Sequence, residues 1–148
     1  MKKIKTFIFS FLALIILLFV VFLLVQPAVP VFSAPSGFYN ESFALSIDTK
    51  DRNVTVHYTL DGSIPTLDSP VYTSPIMIKD RSEDPNTISM ISTISYRYSE
   101  PKVNLFKITT IRARSFNNIT KEPSPIVTHS YLVHPGMASR YSLPIISL

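Results

Sequence analysis

The sequence predicts an all-β sandwich set behind a single N-terminal transmembrane helix. Three features carry that prediction: one long uncharged apolar run near the start, a series of short alternating runs after it, and twelve prolines spread through the 148 residues. No stretch of the remainder joins charged residues to an apolar period of 3.6, which argues against amphipathic helices.

The apolar run is "FIFSFLALIILLFVVFLLV", Phe7 to Val25, with Ser10 as its single hydroxyl. As a helix it spans roughly 28 Å, close to the hydrocarbon core of a bilayer. Lys2, Lys3 and Lys5 precede it, and no charge follows until Glu41. The positive-inside rule then makes residues 1–6 a basic cytoplasmic tail and residues 7–25 the membrane anchor, with everything after Gln26 outside. A cleaved signal peptide is the alternative, and it makes the body secreted. The apolar core of such a peptide usually runs about 7–15 residues. Its best cleavage site here, Val31-Phe32-Ser33 before Ala34, lies well beyond the run. Length favours the uncleaved, single-pass anchor, and both readings export the body.

Charge and cysteine narrow the function classes. Three of the fourteen Lys and Arg sit in the tail, which leaves eleven against ten Asp and Glu in the body. Nucleic acid needs clustered cations that displace counterions, and a nearly neutral body lacks them. Without cysteine there are no disulfides, thiolate zinc sites or iron–sulfur clusters.

Residues 26–36, "QPAVPVFSAPS", hold three prolines and no period, and are expected to form an extended stalk. The sandwich is expected over 37–134. "FALSI" alternates Phe43, Leu45 and Ile47. "VTVHYTL" places Val54, Val56, Tyr58 and Leu60 on one face, with Thr55, His57 and Thr59 opposite. "PIMIK" contributes Ile76 and Ile78, and "VTHSYLV" contributes Val127, Tyr131 and Val133. "LFKITTIRARSF" changes parity between Ile108 and Ile111, which predicts a bulge near Thr109 and Thr110. Asp80 to Lys102 lacks a clean period and reads as a long loop, a length uncommon unless the loop serves a contact. Short strands between Pro, Asn, Asp and Gly turns make a sandwich.

The stretch "HYTLDGSIPT", His57 to Thr66, resembles the YT-x-DGS-x-PT signature of the chitobiase/β-hexosaminidase C-terminal-type domain, an immunoglobulin-like accessory β-sandwich. "PVFSAPSGFYNESFALSI", "FKITTIRARSF" and "THSYLV" are similar to that family's opening, "IRA" and closing strands. "DRSEDPNTIS" and "RYSLPIISL" are similar to the region ahead of the kinase domain in CotH-type spore-coat proteins. The resemblance implies an immunoglobulin-like β-sandwich preceded by a single transmembrane helix, on the outer side of the membrane. It also implies that residues 135–148 are a linker and that the chain is the front of a longer protein. No kinase residues match, so a non-catalytic spacer or partner-presenting module is expected, with no cofactor. A glycine often follows the family's "IRA" strand, whereas Asn117-Asn118 stand here, and asparagine suits the positive φ expected of that turn.

Asp61-Gly62 after an alternating strand is a turn signal, and Ser63, Pro65 and Thr66 complete it. Asp61 and Asp68 supply too few oxygens for calcium. His57, Asp61 and Ser63 are close in sequence, but a catalytic triad is defined by mutual geometry. His57, His129 and His134 lack metal-ligand spacing and carboxylate partners. Arg112 and Arg114 share one strand face and are expected to be solvated or paired across the sheet. Tyr96 and Tyr98, in the long loop, are the candidate ligand contacts if the body is instead a carbohydrate-binding module facing cell-wall glycan. The expected partners are therefore the membrane and a cell-surface protein or glycan.

Overall fold

The computed structural model describes residues 8–9, 11–17 and 26–140. The basic tail, most of the predicted span over 7–25 and residues 141–148 of the predicted linker lie outside the described residues. Residues 8–9 and 11–17 are helical with exposed side chains. Among the described residues no helix is long and apolar enough to cross a membrane.

The body is a β-sandwich. Its strands are β1 (Val31–Phe32), β2 (Gly37–Tyr39), β3 (Phe43–Leu45), β4 (Ile47–Asp48), β5 (Val54–Thr59), β6 (Ile76–Ile78), β7 (Thr109–Asn117) and β8 (Val127–Val133). One layer is a four-stranded sheet in the order β2-β8-β7-β5, antiparallel except for the parallel β2–β8 pair. The other consists of two short antiparallel ladders, β1–β4 and β3–β6, joined through Ser46. The "FALSI" run is thus two strands that take different partners.

The core forms where the two layers meet. Phe32, Leu45, Ile47 and Ile78 come from the short ladders, and Val56, Ile111, Ala113, Tyr131 and Val133 from the large sheet. Alternation along each strand explains the set, because residues two apart share a face. On β8 that parity also turns His129 inward. Its ring stacks on Phe32 with centroids 4.5 Å apart.

Three expectations are corrected. The expected extended stalk, residues 26–36, is in part a strand of the sandwich, since Val31 and Phe32 pair with Asp48 and Ile47, and Phe32 is in the core. The first strand changes sheets between Ser33 and Ser36. Pro35 sits at the switch, where it has no ladder hydrogen bond to supply. Tyr131 Oη donates to the Ala34 carbonyl at 2.9 Å, and Ser130 N–H donates to Ser36 Oγ at 3.1 Å. Second, there is no bulge at Thr109 and Thr110. The β7–β8 register runs unbroken from Thr109↔Tyr131 to Ala113↔Val127, and the parity changes because the strand begins at Thr109. Third, the positive φ after β7 belongs to Lys121, at 61°, and not to the asparagines. Asn117 Oδ1 instead accepts the amides of Ile119 and Thr120.

Beyond β8, Met137–Arg140 form one helical turn, and Met137 is buried. The long loop contains two 3₁₀ turns, Ile88–Met90 and Ser92–Ile94. Asn86 ties its two legs together, donating to the Val103 carbonyl and accepting from Leu105 N–H. At its base Asp80 reaches His134, with Oδ2 2.8 Å from Nδ1.

Candidate functional site: the loop after strand β5

The segment 57–72 leaves the end of β5, turns, and comes back along that strand's free edge. Its turn is held from inside. Asp61 Oδ1 accepts Ser63 N–H at 3.0 Å and the Ser63 hydroxyl at 2.6 Å. The hydroxyl bond first, and the amide bond second, hold this carboxyl below the ordinary aspartate range. Gly62 has a φ of 81°, the left-handed region that an L side chain resists. Thr59 Oγ1 donates to the Ser63 carbonyl at 2.7 Å.

Pro65 is fully buried and fixes the exit of the turn. Thr66 then begins a second turn: its N–H donates to Ser69 Oγ at 2.9 Å, and Ser69 N–H donates to the Thr66 carbonyl at 3.1 Å. The returning chain pairs with β5. Tyr58 N–H donates to the Pro70 carbonyl at 3.0 Å, and Tyr72 N–H donates to the Val56 carbonyl at 2.8 Å. His57, only 6% exposed, has Nδ1 2.8 Å from the Ser69 carbonyl. Since a carbonyl only accepts, Nδ1 carries the proton there. The Phe116 ring meets His57 edge-on.

The alternation of β5 holds, with Val56 in the core and His57 and Thr59 on the opposite face. His57 and Thr59 are nevertheless buried, His57 by Ser69 and Phe116 and Thr59 against Ser63, while Leu60 is exposed. Sequence alternation marked only the core side, because the residues that enclose His57 and Thr59, namely Ser63, Ser69 and Phe116, lie outside the strand.

The catalytic constellation does not assemble. The Ser63 hydroxyl is directed to Asp61, and the His57 ring to Ser69 and Phe116. The three histidines diverge: His129 contacts Ala34 and Tyr131, and His134 contacts Asp80. Among the described residues no group of three or more His, Asp or Glu could hold a metal ion.

Arg112 and Arg114 stand opposite Thr59 and His57 on the outer face of the sheet. Each braces a backbone carbonyl. Arg112 Nη1 donates to Gly62 at 2.8 Å, and Arg114 donates through Nε and Nη2 to Ser124 at 3.1 and 2.9 Å. Arg114 also lies over the Phe116 ring, 5.5 Å from its centroid. The role of Arg112 in fixing the Gly62 turn had no sequence signal, because fifty residues separate the two. Of the two tyrosines singled out, Tyr96 is completely exposed, whereas Tyr98 is half-buried and its Oη donates to the Ser89 carbonyl at 3.1 Å.

A family model described as Fn3 associated matches residues 45–131, more than half of the chain. The chain belongs to this family. The match runs from Leu45 in β3 to Tyr131 in β8, so it includes β5, the whole 57–72 loop and all of β7 in the Fn3-associated sandwich. No curated protein and no solved structure matches the sequence.

Proposed function

We propose that this Fn3-associated domain is a non-catalytic spacer, held outside the cell membrane by residues 7–25, of the kind found in CotH-type surface proteins. The observation that carries the reading is the use of the DGS-x-PT residues. Asp61, Gly62, Ser63, Pro65 and Thr66 all serve the turn itself, and Arg112 and Thr59 lock the turn onto the sheet. A chitobiase-type signature spent on internal bracing suits a scaffold whose partners attach elsewhere. The place of Phe32 in the core supports an uncleaved anchor, since a cut before Ala34 removes β1 and the ring that stacks on His129.

Protease added to protoplasts tests the topology. Digestion of the body with protection of the N-terminal segment is the expected result. A free soluble body beginning near Ala34 overturns the anchor. A second reading, a carbohydrate-binding module, is favoured by the full exposure of the Tyr96 ring. Pull-down on insoluble peptidoglycan or chitin tests it. Binding that is lost in Tyr96→Ala combined with Tyr98→Ala would replace the spacer reading.

A further inference from the structure

β2, the first strand of the four-stranded sheet in chain order, and β8, the last strand of the described body, lie side by side and parallel. Gly37, Phe38 and Tyr39 are in register with Tyr131, Leu132 and Val133. Side chains and flanking backbone add to the pair on both sides of the ladder. Tyr131 Oη donates to Ala34, Ser130 N–H to Ser36 Oγ, and His134 N–H to the Tyr39 carbonyl at 3.0 Å. Direction matters here. The incoming chain pulls β2 from its N-terminal end, and the outgoing chain pulls β8 from its C-terminal end. In a parallel pair those are opposite ends, so tension runs along the strands and loads every cross-strand bond at once. An antiparallel pair joining the same two ends would open one bond at a time.

From this geometry we infer that the domain has a mechanical function: the β2–β8 pair is a shear clamp that keeps the sandwich folded under tension between its anchor and whatever it presents. The inference rests on the spacer reading, which supplies a tether on the N-terminal side. β1 is not the clamp. It contributes only two residue pairs and is the first element met by a force from the N-terminal side. β8 is itself held along Val127–Tyr131 by β7, so β2 must slide against a fixed neighbour.

Single-molecule pulling on the full chain in detergent micelles tests the clamp. The sequence has no cysteine, so handles can be attached at introduced ones. Gln26→Cys with Ser139→Cys loads β2 and β8 from opposite ends. Gln26→Cys with Glu122→Cys pulls from the turn before β8, the same end as the start of β2, and peels the pair. Forced unfolding follows the barrier on the pulled path. Three register pairs sharing the load predict a rupture force roughly threefold higher in the first geometry than in the second. Thr120→Cys, in the same turn, replaces Glu122→Cys if that variant fails to fold. Ser36→Ala should lower the force in the first geometry alone. Equal forces in the two geometries overturn the clamp and leave the protease topology result, on which the spacer reading stands, untouched.

Discussion

Replacing Tyr131 by phenylalanine tests the network at the point where the first strand changes sheets. Tyr131 is 1% exposed and touches Tyr39 and Phe43 through its ring. Its hydroxyl donates to the Ala34 carbonyl at 2.9 Å and lies 3.1 Å from His129 Nδ1. Phenylalanine keeps the ring contacts and removes the oxygen. The carbonyl is not stranded, because His129 Nδ1 is already 3.1 Å from it. The loss is then one hydrogen bond, about 1 kcal/mol, and not the roughly 3 kcal/mol of an unsatisfied buried group. Alkaline pH adds a second readout. Burial, with Tyr39 as the smaller cause, pushes the Tyr131 hydroxyl up to about 12. Because the folded value is raised, the contribution of this hydroxyl is complete below the unfolded tyrosine value of about 10 and disappears as pH rises through about 12. The wild type should therefore lose up to about 2 kcal/mol over that window, after allowance for screening at the hydroxyl, and Tyr131→Phe should not. Urea titrations of the two proteins should differ by about 1 kcal/mol at pH 7 and converge near pH 11. Parallel pH profiles would refute the assignment of the raised hydroxyl. A pH 7 difference above roughly 3 kcal/mol would refute the rescue by His129.

Four further outcomes can be checked by thermal or chemical denaturation and proteolysis. Gly62→Val should destabilise the body by roughly 1–3 kcal/mol through its backbone alone, since a Cβ at that position meets open space. Asp61→Asn should be mild, because the amide oxygen can accept both Ser63 bonds. Asp80→Asn should weaken the base of the long loop, seen as faster protease cutting between Asp80 and Lys102. The Asp80 carboxyl is held low by Ser82 first and His134 second, so its contribution is present above the ordinary aspartate value and lost as pH falls through its lowered one. Wild-type loop protection should decline on acidification below that range, and the variant should lack this step. Tyr98→Ala should also speed cutting of the loop by releasing the Ser89 carbonyl, whereas Tyr96→Ala should leave it unchanged.

Strand positions were legible wherever alternation had one buried side. Val54 to Thr59 and Val127 to Val133 fall where the period-two pattern puts them. What could not be read were features decided by distant partners. Ser46 divides a regular run because β6 and β1 each cover only part of it. Pro35 marks a change of sheet, but in one dimension it looks like any proline in an extended leader. His57 reads as a residue of the face away from the core, and its burial depends on Ser69 and Phe116. The DGS-x-PT stretch was legible as a turn because its chemistry is local, with Ser63 bonded to Asp61 and Gly62 at positive φ. The clamp by Arg112 was invisible because it depends on the β5–β7 register, which places that arginine opposite Thr59. The asparagines after β7 suited a left-handed turn by type, yet side-chain acceptance by Asn117 moved the strained position to Lys121.

The returning segment over β5 has a consequence for behaviour among many copies. β5 is the last strand of its sheet, and an open strand edge is a template on which another chain can add itself. Here the Tyr58 amide and the Val56 carbonyl are already taken by Pro70 and Tyr72, and Val71 bridges His57. Pro70 has no N–H of its own to offer a further strand, so the covering segment is itself a poor template. Loosening the DGS-x-PT turn would therefore do more than soften one loop. It would uncover a β-branched, aromatic edge on which a further chain could add a strand.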